Sequence, residues 1–307
     1  LFIINPLSGN RNKTHLKEEI IRHCKNHGLV PFFGELSGGN DKEKIIAALE
    51  VKNPDIAVAV GGDGTVNLVA SALINKSVKL GIIPTGSANG MAYELNIPVN
   101  IEHAVAILAK NISKRIDLLM INGKHLTVHL SDLGMNARII KRFDQEKIRG
   151  FYGYARQFFK ELKSPSYFRC IIQCKGNRAR KYKAVMVVML NTHFFGTGAV
   201  VNPTGKIDDG IFEIVVIKPY PWYYIFRMLF AFFTGNIHRL RHVRIISCKQ
   251  AKITMLHPQE LQVDGEPTGE FRNLEVKSLP AALEVIYNPE QEFSFFRPHL
   301  GRKTRQP

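Results

Sequence analysis

The sequence predicts two domains of different class: an N-terminal α/β unit on a doubly wound parallel sheet, then a C-terminal antiparallel β-sandwich. Up to Asp117, continuous apolar runs alternate with amphipathic stretches, the pattern of a parallel sheet covered on both faces. Beyond Asp117, strand-like segments separated by turn dipeptides predominate. Charge divides the chain at the same place. Residues 1–120 hold 13 basic and 11 acidic residues and residues 121–307 hold 29 and 15, so +14 of the net +16 lies in the second part. With 307 residues, 45% apolar and 22% charged, the chain can bury substantial cores and lacks the profile of disorder.

The first domain is expected over 1–118. Leu1–Ile4 reads as a strand, not a secretory leader, and is closed by Asn5-Pro6 and the turn cluster Ser8-Gly9-Asn10. A helix follows over Thr14–His27, with Leu16, Ile20, Ile21 and Cys24 on one face. Next come a strand at Val30–Phe33, a helix at Asp41–Glu50 and an apolar strand at Ile56–Val60. That strand runs into Gly61-Gly62-Asp63-Gly64 and a helix from Thr65 to Leu73. The strand Leu80–Ile83 ends in Pro84-Thr-Gly-Ser-Ala-Asn-Gly90 and another helix.

The second domain is expected over 119–288, with 289–307 returning to the first. Its strands are read at Leu118–Ile121, His125–His129, Tyr167–Gln173, Tyr182–Leu190, Phe212–Lys218, Val243–Ser247, Ala251–Met255, Glu260–Val263 and Leu283–Tyr287. Asn122-Gly123, Gly176-Asn177, Asp209-Gly210 and Asp264-Gly265 mark turns, and helices are expected near Phe151–Leu162 and Trp222–Thr234.

Composition excludes several classes. Cys24, Cys170, Cys174 and Cys248 are too few and scattered for a disulfide framework, and are read as free thiols in a reducing compartment. Neither Cys nor His shows zinc spacing. No uncharged apolar stretch, Ala184–Leu190 and Trp222–Phe226 included, approaches the roughly 20 residues a bilayer requires, so a cytoplasmic protein is expected. The basic half suits nucleic acid, an anionic membrane or a phosphorylated ligand.

The glycine loops narrow this. A buried strand, a glycine turn and an immediate helix can cradle phosphate, because glycine admits close backbone approach and the helix start offers free N–H groups. The loop lacks the lysine of a Walker A motif and has Asn67 at the third Rossmann glycine position. Asp63 would repel phosphate unless a cation lay between, which implies Mg²⁺. The loops after the first, third and fourth strands should converge on one sheet edge as a nucleotide site, although each is also an ordinary β–α turn.

Asn5-Pro-Leu-Ser-Gly9, Gly61-Gly-Asp-Gly-Thr65, Pro84-Thr-Gly-Ser-Ala-Asn89 and Val263-Asp-Gly-Glu266, in this order, resemble the diacylglycerol kinase catalytic-domain family over nearly the whole chain. The resemblance implies ATP held between the domains at Asn5, Ser8, Gly62, Asp63, Gly64, Thr65, Gly86, Ser87 and Asn89. It places Asp63 and Asp117 in a catalytic magnesium network, and makes Asp264 the general base with Glu266 beside it, although Asp264-Gly265 alone reads equally as a hairpin turn. Arg149 and Arg156 match a phosphate-binding stretch or are solvated surface charge. Lys206, Asp209 and Ile211 match a structural magnesium loop. Gly90 stands where many relatives carry Asp, and Arg138 disfavours a cationic lipid head.

These correspondences imply an ATP- and Mg²⁺-dependent lipid kinase with diacylglycerol as the default acceptor. A peripheral, transient encounter with anionic membrane is expected, nucleic acid is not, and a homodimer is allowed. Trp222–Phe233 followed by basic residues fits either a bilayer interface or a helix packed on the β domain. The alternatives are a sphingoid or other lipid kinase, an NAD kinase, and a non-catalytic membrane- or nucleic-acid-binding protein.

Overall fold

The computed structural model describes residues 1–6, 13–145, 166–195 and 199–290. The expected helix Phe151–Leu162 lies outside these residues, as do Ser8, Arg149, Arg156 and the tail after 290.

The first domain has strands β1 (Phe2–Ile4), β2 (Phe33–Glu35), β3 (Ile56–Gly61) and β4 (Lys79–Pro84), all parallel in the order β2-β1-β3-β4. The helices are α1 (Lys13–Asn26), α2 (Asp41–Lys52), α3 (Asp63–Leu73), α4 (Gly90–Glu94) and α5 (Ile101–Lys110). α1 packs with α5 and α2 with α3. β3 and β4 are buried almost throughout, which is why they read as unbroken apolar runs rather than alternating ones. α5, whose start the Asn100 side chain caps by accepting the His103 N–H at 3.0 Å, carries five buried apolar residues that close the core.

The second domain comprises β5 (Ser113–Ile121), β6 (His125–Thr127), β7 (Leu130–Gly134), α6 (Met135–Gln145), β8 (Phe168–Cys174), β9 (Arg180–Ala184), β10 (Met186–Leu190), β11 (Phe194–Phe195), β12 (Ala199–Val200), β13 (Phe212–Ile217), α7 (Tyr224–Thr234), β14 (Val243–Cys248), β15 (Gln250–Val263) and β16 (Glu266–Ile286). One antiparallel layer runs β14-β13-β10-β7 to the end of β15. The other joins β9, β8, the start of β15, β16, β5 and β6. Leu133, Met189 and Ile214 from the first layer meet Ile121, Ile172 and Ile253 from the second in one core. A further cluster joins the outward residues Val188 and Val215 to Met135 and Ile139 of α6 and Met228 and Ala231 of α7.

β5 and β16 join the domains. Val276–Leu279 pairs with Leu118–Ile121 in the sandwich. After an irregularity at Pro280–Ala282, Leu283–Ile286 pairs with Ser113–Ile116, and Val285 pairs in parallel with Leu80 of β4. The chain therefore returns to the first sheet before residue 289. Beyond β16 it stays there, with the Asn288 N–H donating to Leu95 O at 3.0 Å and Lys110 pairing with Glu290 at 2.6 Å.

Several elements differ from expectation. Tyr182–Leu190 divides at Val185 into β9 and β10. β16 is 21 residues long, but only its end reads as a strand, because its first half exposes most side chains and lacks apolar alternation. The expectation of four free thiols is overturned: Cys174 and Cys248 form a disulfide across a sequence separation of 74, with Cα atoms 5.8 Å apart. Cys248 ends β14 beside the start of β15, and β15 pairs with β8 up to Cys174, a pairing that spacing along the chain does not reveal. Cys24 and Cys170 remain free and buried, and burial pushes their thiols up to about 11 and about 12.

Candidate active site between the domains

The glycine loops meet at the C-terminal edge of the parallel sheet. Asn5, just after β1, donates from Nδ2 to Thr65 Oγ1 at 3.0 Å, tying the first loop to the start of α3. The Thr85 N–H donates to Gly61 O at 3.0 Å. Gly62 and Gly86 lie back to back: a Cβ on Gly86 would come 2.5 Å from Gly62 Cα, so the second loop cannot keep its course with a side chain at 86, while one on Gly62 would meet Gly86 Cα at a tight 3.3 Å.

Asp63 links the third and fourth β–α turns. Its two oxygens accept the Gly90 N–H at 3.0 Å and the Met91 N–H at 3.1 Å, satisfying free donors at the start of α4. Each oxygen retains a lone pair, and the residue is half-buried. Asn89, expected to offer donors to a nucleotide, uses its Oδ1 and one amide N–H on its own loop, accepting from Gly86 N at 3.0 Å and donating to Gly86 O at 2.8 Å. Ser87 is exposed.

Gly90 has a steric cause. A Cβ there would fall 2.2 Å from His129 Nε2, so the imidazole occupies the space of a side chain at position 90. His129 is 3% exposed, its Nδ1 bonds Thr192 Oγ1 at 3.0 Å, and its Nε2 has no hydrogen-bond partner.

From the sandwich, the β15–β16 hairpin brings Asp264 to the same cleft. Asp264 and Gly265 both have positive φ, 47° and 90°, as a two-residue hairpin turn requires. Below the turn, Gln262 Oε1 accepts the Gly265 N–H at 2.7 Å while its amide donates to buried Asp132. Burial pushes the Asp132 carboxyl up to about 6 despite its amide partners Asn136 and Gln262.

Asp264 itself is 5% exposed. Oδ1 accepts from His129 N at 2.9 Å and Leu130 N at 2.8 Å, and Oδ2 accepts from Val128 N at 2.8 Å and from the Asn67 side chain of α3. Four donors fill the carboxylate's lone pairs. Burial nevertheless raises its pKa above the usual carboxylate range, outweighing those hydrogen bonds and the neighbouring His129.

The cleft, ≈ 230 Å³, is lined among others by Lys42, Gly64, Asn67, Lys124, Asp264 and Glu266. Glu266 lies against the glycine loop: a Cβ on Gly64 would come 2.8 Å from its Oε1. Asn67, Lys42 and Lys124 belong to none of the four sequence motifs. Asn67 carried a signal, a polar residue near the start of an apolar helix directly after the glycine turn. The two lysines are brought in only by tertiary packing.

Asp117 lies apart from this constellation. Its carboxylate accepts the Ala281 N–H at 2.7 Å and the Gly210 N–H, fastening the irregularity in β16 to the 206–211 loop. With Asp208, Asp209 and Gly210 it lines a separate depression of ≈ 370 Å³. Asp209 is exposed and accepts the Ile211 N–H at 3.0 Å. Asp117 thus neighbours the loop of Lys206, Asp209 and Ile211, not the cleft lined by Gly64, Asp264 and Glu266. No group of three or more His, Cys, Asp or Glu side chains among the described residues forms a ready metal cage.

A parallel-sheet domain that presents glycine loops to a carboxylate hairpin of a β-sandwich has the architecture of a two-domain kinase. Residues 1–121 match the diacylglycerol kinase catalytic domain, and residues 131–287 match the YegS C-terminal NAD kinase beta sandwich-like domain. The chain belongs to the diacylglycerol kinase catalytic-domain family, in the YegS-type two-domain form, and is a phosphotransferase of the lipid kinase class. It is 29% identical over 253 residues to a Yersinia enterocolitica protein named "Probable lipid kinase YegS-like", covering 80% of this chain and 82% of that one. Among solved structures, a diacylglycerol kinase from Bacillus anthracis superposes with a TM-score of 0.72 at 20% identity, covering 94% of this chain and 96% of that one. An NAD kinase from Archaeoglobus fulgidus in complex with ATP superposes with a TM-score of 0.55 at 13% identity, covering 94% of each chain. At these identities the two structures speak for the fold alone.

Proposed function

We propose that the cleft transfers the γ-phosphoryl group of ATP to the free hydroxyl of diacylglycerol, giving phosphatidic acid and ADP. The observation that carries this reading is the hydrogen bond between Asn67, on the helix that opens at the glycine loop, and Asp264, on the sandwich hairpin. It sets a buried carboxylate of one domain against the nucleotide-type loops of the other.

In the transfer, the acceptor oxygen bonds to the γ-phosphorus, the bond from that phosphorus to the bridging oxygen breaks, and the acceptor's proton passes to Asp264. The Asp264 carboxyl, raised by burial, is a stronger base than an exposed carboxylate. The acceptor hydroxyl takes the place of the Asn67 amide on Oδ2, because the three backbone donors are fixed by the Val128–Leu130 segment while Asn67 belongs to the opposite domain. Backbone of the Gly61–Thr65 and Pro84–Gly90 loops faces the nucleotide, with Asn5 and Thr65 holding the first loop in place. Lys42 and Lys124 supply positive charge at the cleft wall.

The donor set fits Mg²⁺, which is bound through one or two carboxylates together with water and substrate phosphates. Asp63 keeps free lone pairs and Glu266 lies at Gly64. When bound, the cation supplies neutralisation of phosphate charge. Asp117 serves instead to hold the 206–211 loop, where Lys206, Asp209 and Ile211 remain the candidates for a second, structural cation. The enzyme works at the cytoplasmic bilayer face as a peripheral visitor.

Incubation with labelled ATP, Mg²⁺ and a panel of diacylglycerol, sphingosine, ceramide and NAD tests the assignment. Label in phosphatidic acid is expected. Label in NADP, or in a sphingoid product alone, would overturn it.

A further inference from the structure

Helix α7 does not pack by its aromatic face. Trp222 and Tyr223 ahead of it, and Phe226, Phe230 and Phe233 along it, are 64%, 61%, 67%, 70% and 68% exposed. Their spacing of three and four residues along the helix sets the phenylalanines on one outward stripe. Of the helix residues, only Met228 and Ala231 are buried. A side chain of this kind offers about 150–250 Å², so five at these exposures present roughly 600 Å² of aromatic surface, beyond what a soluble protein leaves without purpose.

Charge identifies the occupant. Residues 214–259 contain seven Lys and Arg and not one Asp or Glu. Arg227 stands over the Tyr224 ring at 5.9 Å, and that ring meets His242 at 4.6 Å, so the segment carrying exposed Arg239, Arg241 and Arg244 lies beside the helix. Aromatic side chains rimmed by basic ones match the interface of an anionic bilayer, where rings enter the headgroup layer and cations meet lipid phosphate. No helix among the described residues is long and apolar enough to cross a membrane, so α7 would lie in the surface plane.

We propose that α7, with Trp222 and Tyr223, is the element that docks this protein on an anionic lipid surface. The proposal deepens the lipid-kinase reading and rests on it for the source of the surface. The test uses the full chain and the variant Phe226→Ser, Phe230→Ser, Phe233→Ser, in sedimentation with vesicles of phosphatidylcholine containing phosphatidylserine. Phosphorylation of water-soluble dioctanoylglycerol is measured in parallel. At least a tenfold loss of vesicle binding, with unchanged turnover of the soluble lipid, is expected. Equal vesicle binding by variant and wild type would overturn the docking role. So would a wild-type dimer that the variant splits while neither form binds vesicles, since the stripe would then be a contact between copies. Wild type that binds vesicles through these residues yet phosphorylates no lipid would leave the docking surface standing and refute the kinase reading.

Discussion

Gly90 and His129 act as one unit. The imidazole fills the volume that a side chain at 90 would need, so packing leaves no room for a carboxylate at that position. Gly90→Ala should destabilise the protein by about 1–3 kcal/mol, the usual cost of overpacking a filled site. His129→Ala in the same chain should restore most of the loss, because the colliding ring is gone. Thermal melting of the two single variants and the double variant checks this, and additive losses would refute the steric coupling. Neither residue's role was legible in the sequence: Gly90 showed only a departure from relatives, and its partner lies 39 positions away. Asp264 was legible because Val263-Asp-Gly-Glu266 follows a strand-like run and completes the four motifs in order. Its saturation by Asn67 and three backbone N–H groups was not, since those donors come from a different domain and from a bend at Val128–Leu130.

At the scale of elements, the parallel strands and their helices were readable because burial on both faces writes an unbroken apolar run. β16 was not, because a strand that crosses from sandwich to parallel sheet changes its environment midway and shows no single period. The start of α6 leaves no mark in the sequence, because β7 runs through Gly134 directly into the helix without a turn cluster. The aromatic segment was legible as a helix, but its two readings differ only in which face packs, and that requires coordinates. α4 shows how elements are coupled across the joint. Buried Glu94 accepts the His193 N–H at 2.8 Å and meets His193 Nδ1 at 2.7 Å, linking the first domain to the chain after β10. Burial pulls the His193 imidazole down, but its hydrogen bond to Glu94 and the charge there outweigh this, and the net pKa is raised above 6.5. The folded state thus holds the proton more tightly than the unfolded one. The pair's contribution is fully present below pH 6.5 and is lost as pH climbs through the raised folded value. The melting advantage of wild type over His193→Gln should be greatest at pH 5.5 and shrink toward pH 8.5. An advantage that grows with pH would contradict this linkage.

At the scale of the molecule, the uneven charge acquires a location. The nearly neutral first domain holds its loops through backbone contacts and Asp63, while the basic second domain carries the hairpin and the aromatic helix. The strand pair β5–β16 joins them, so the cleft is framed by elements of both cores and depends on each being folded. The proposed role of Asp264, receipt of the acceptor proton in lipid phosphorylation, is tested most directly by steady-state turnover of diacylglycerol by wild type and Asp264→Asn. The isosteric amide removes the base without removing bulk. We predict a fall in kcat of about 10²–10⁴-fold, the range typical of a lost general base, with little change in the KM for ATP. Turnover by Asp264→Asn within twofold of wild type would contradict the account.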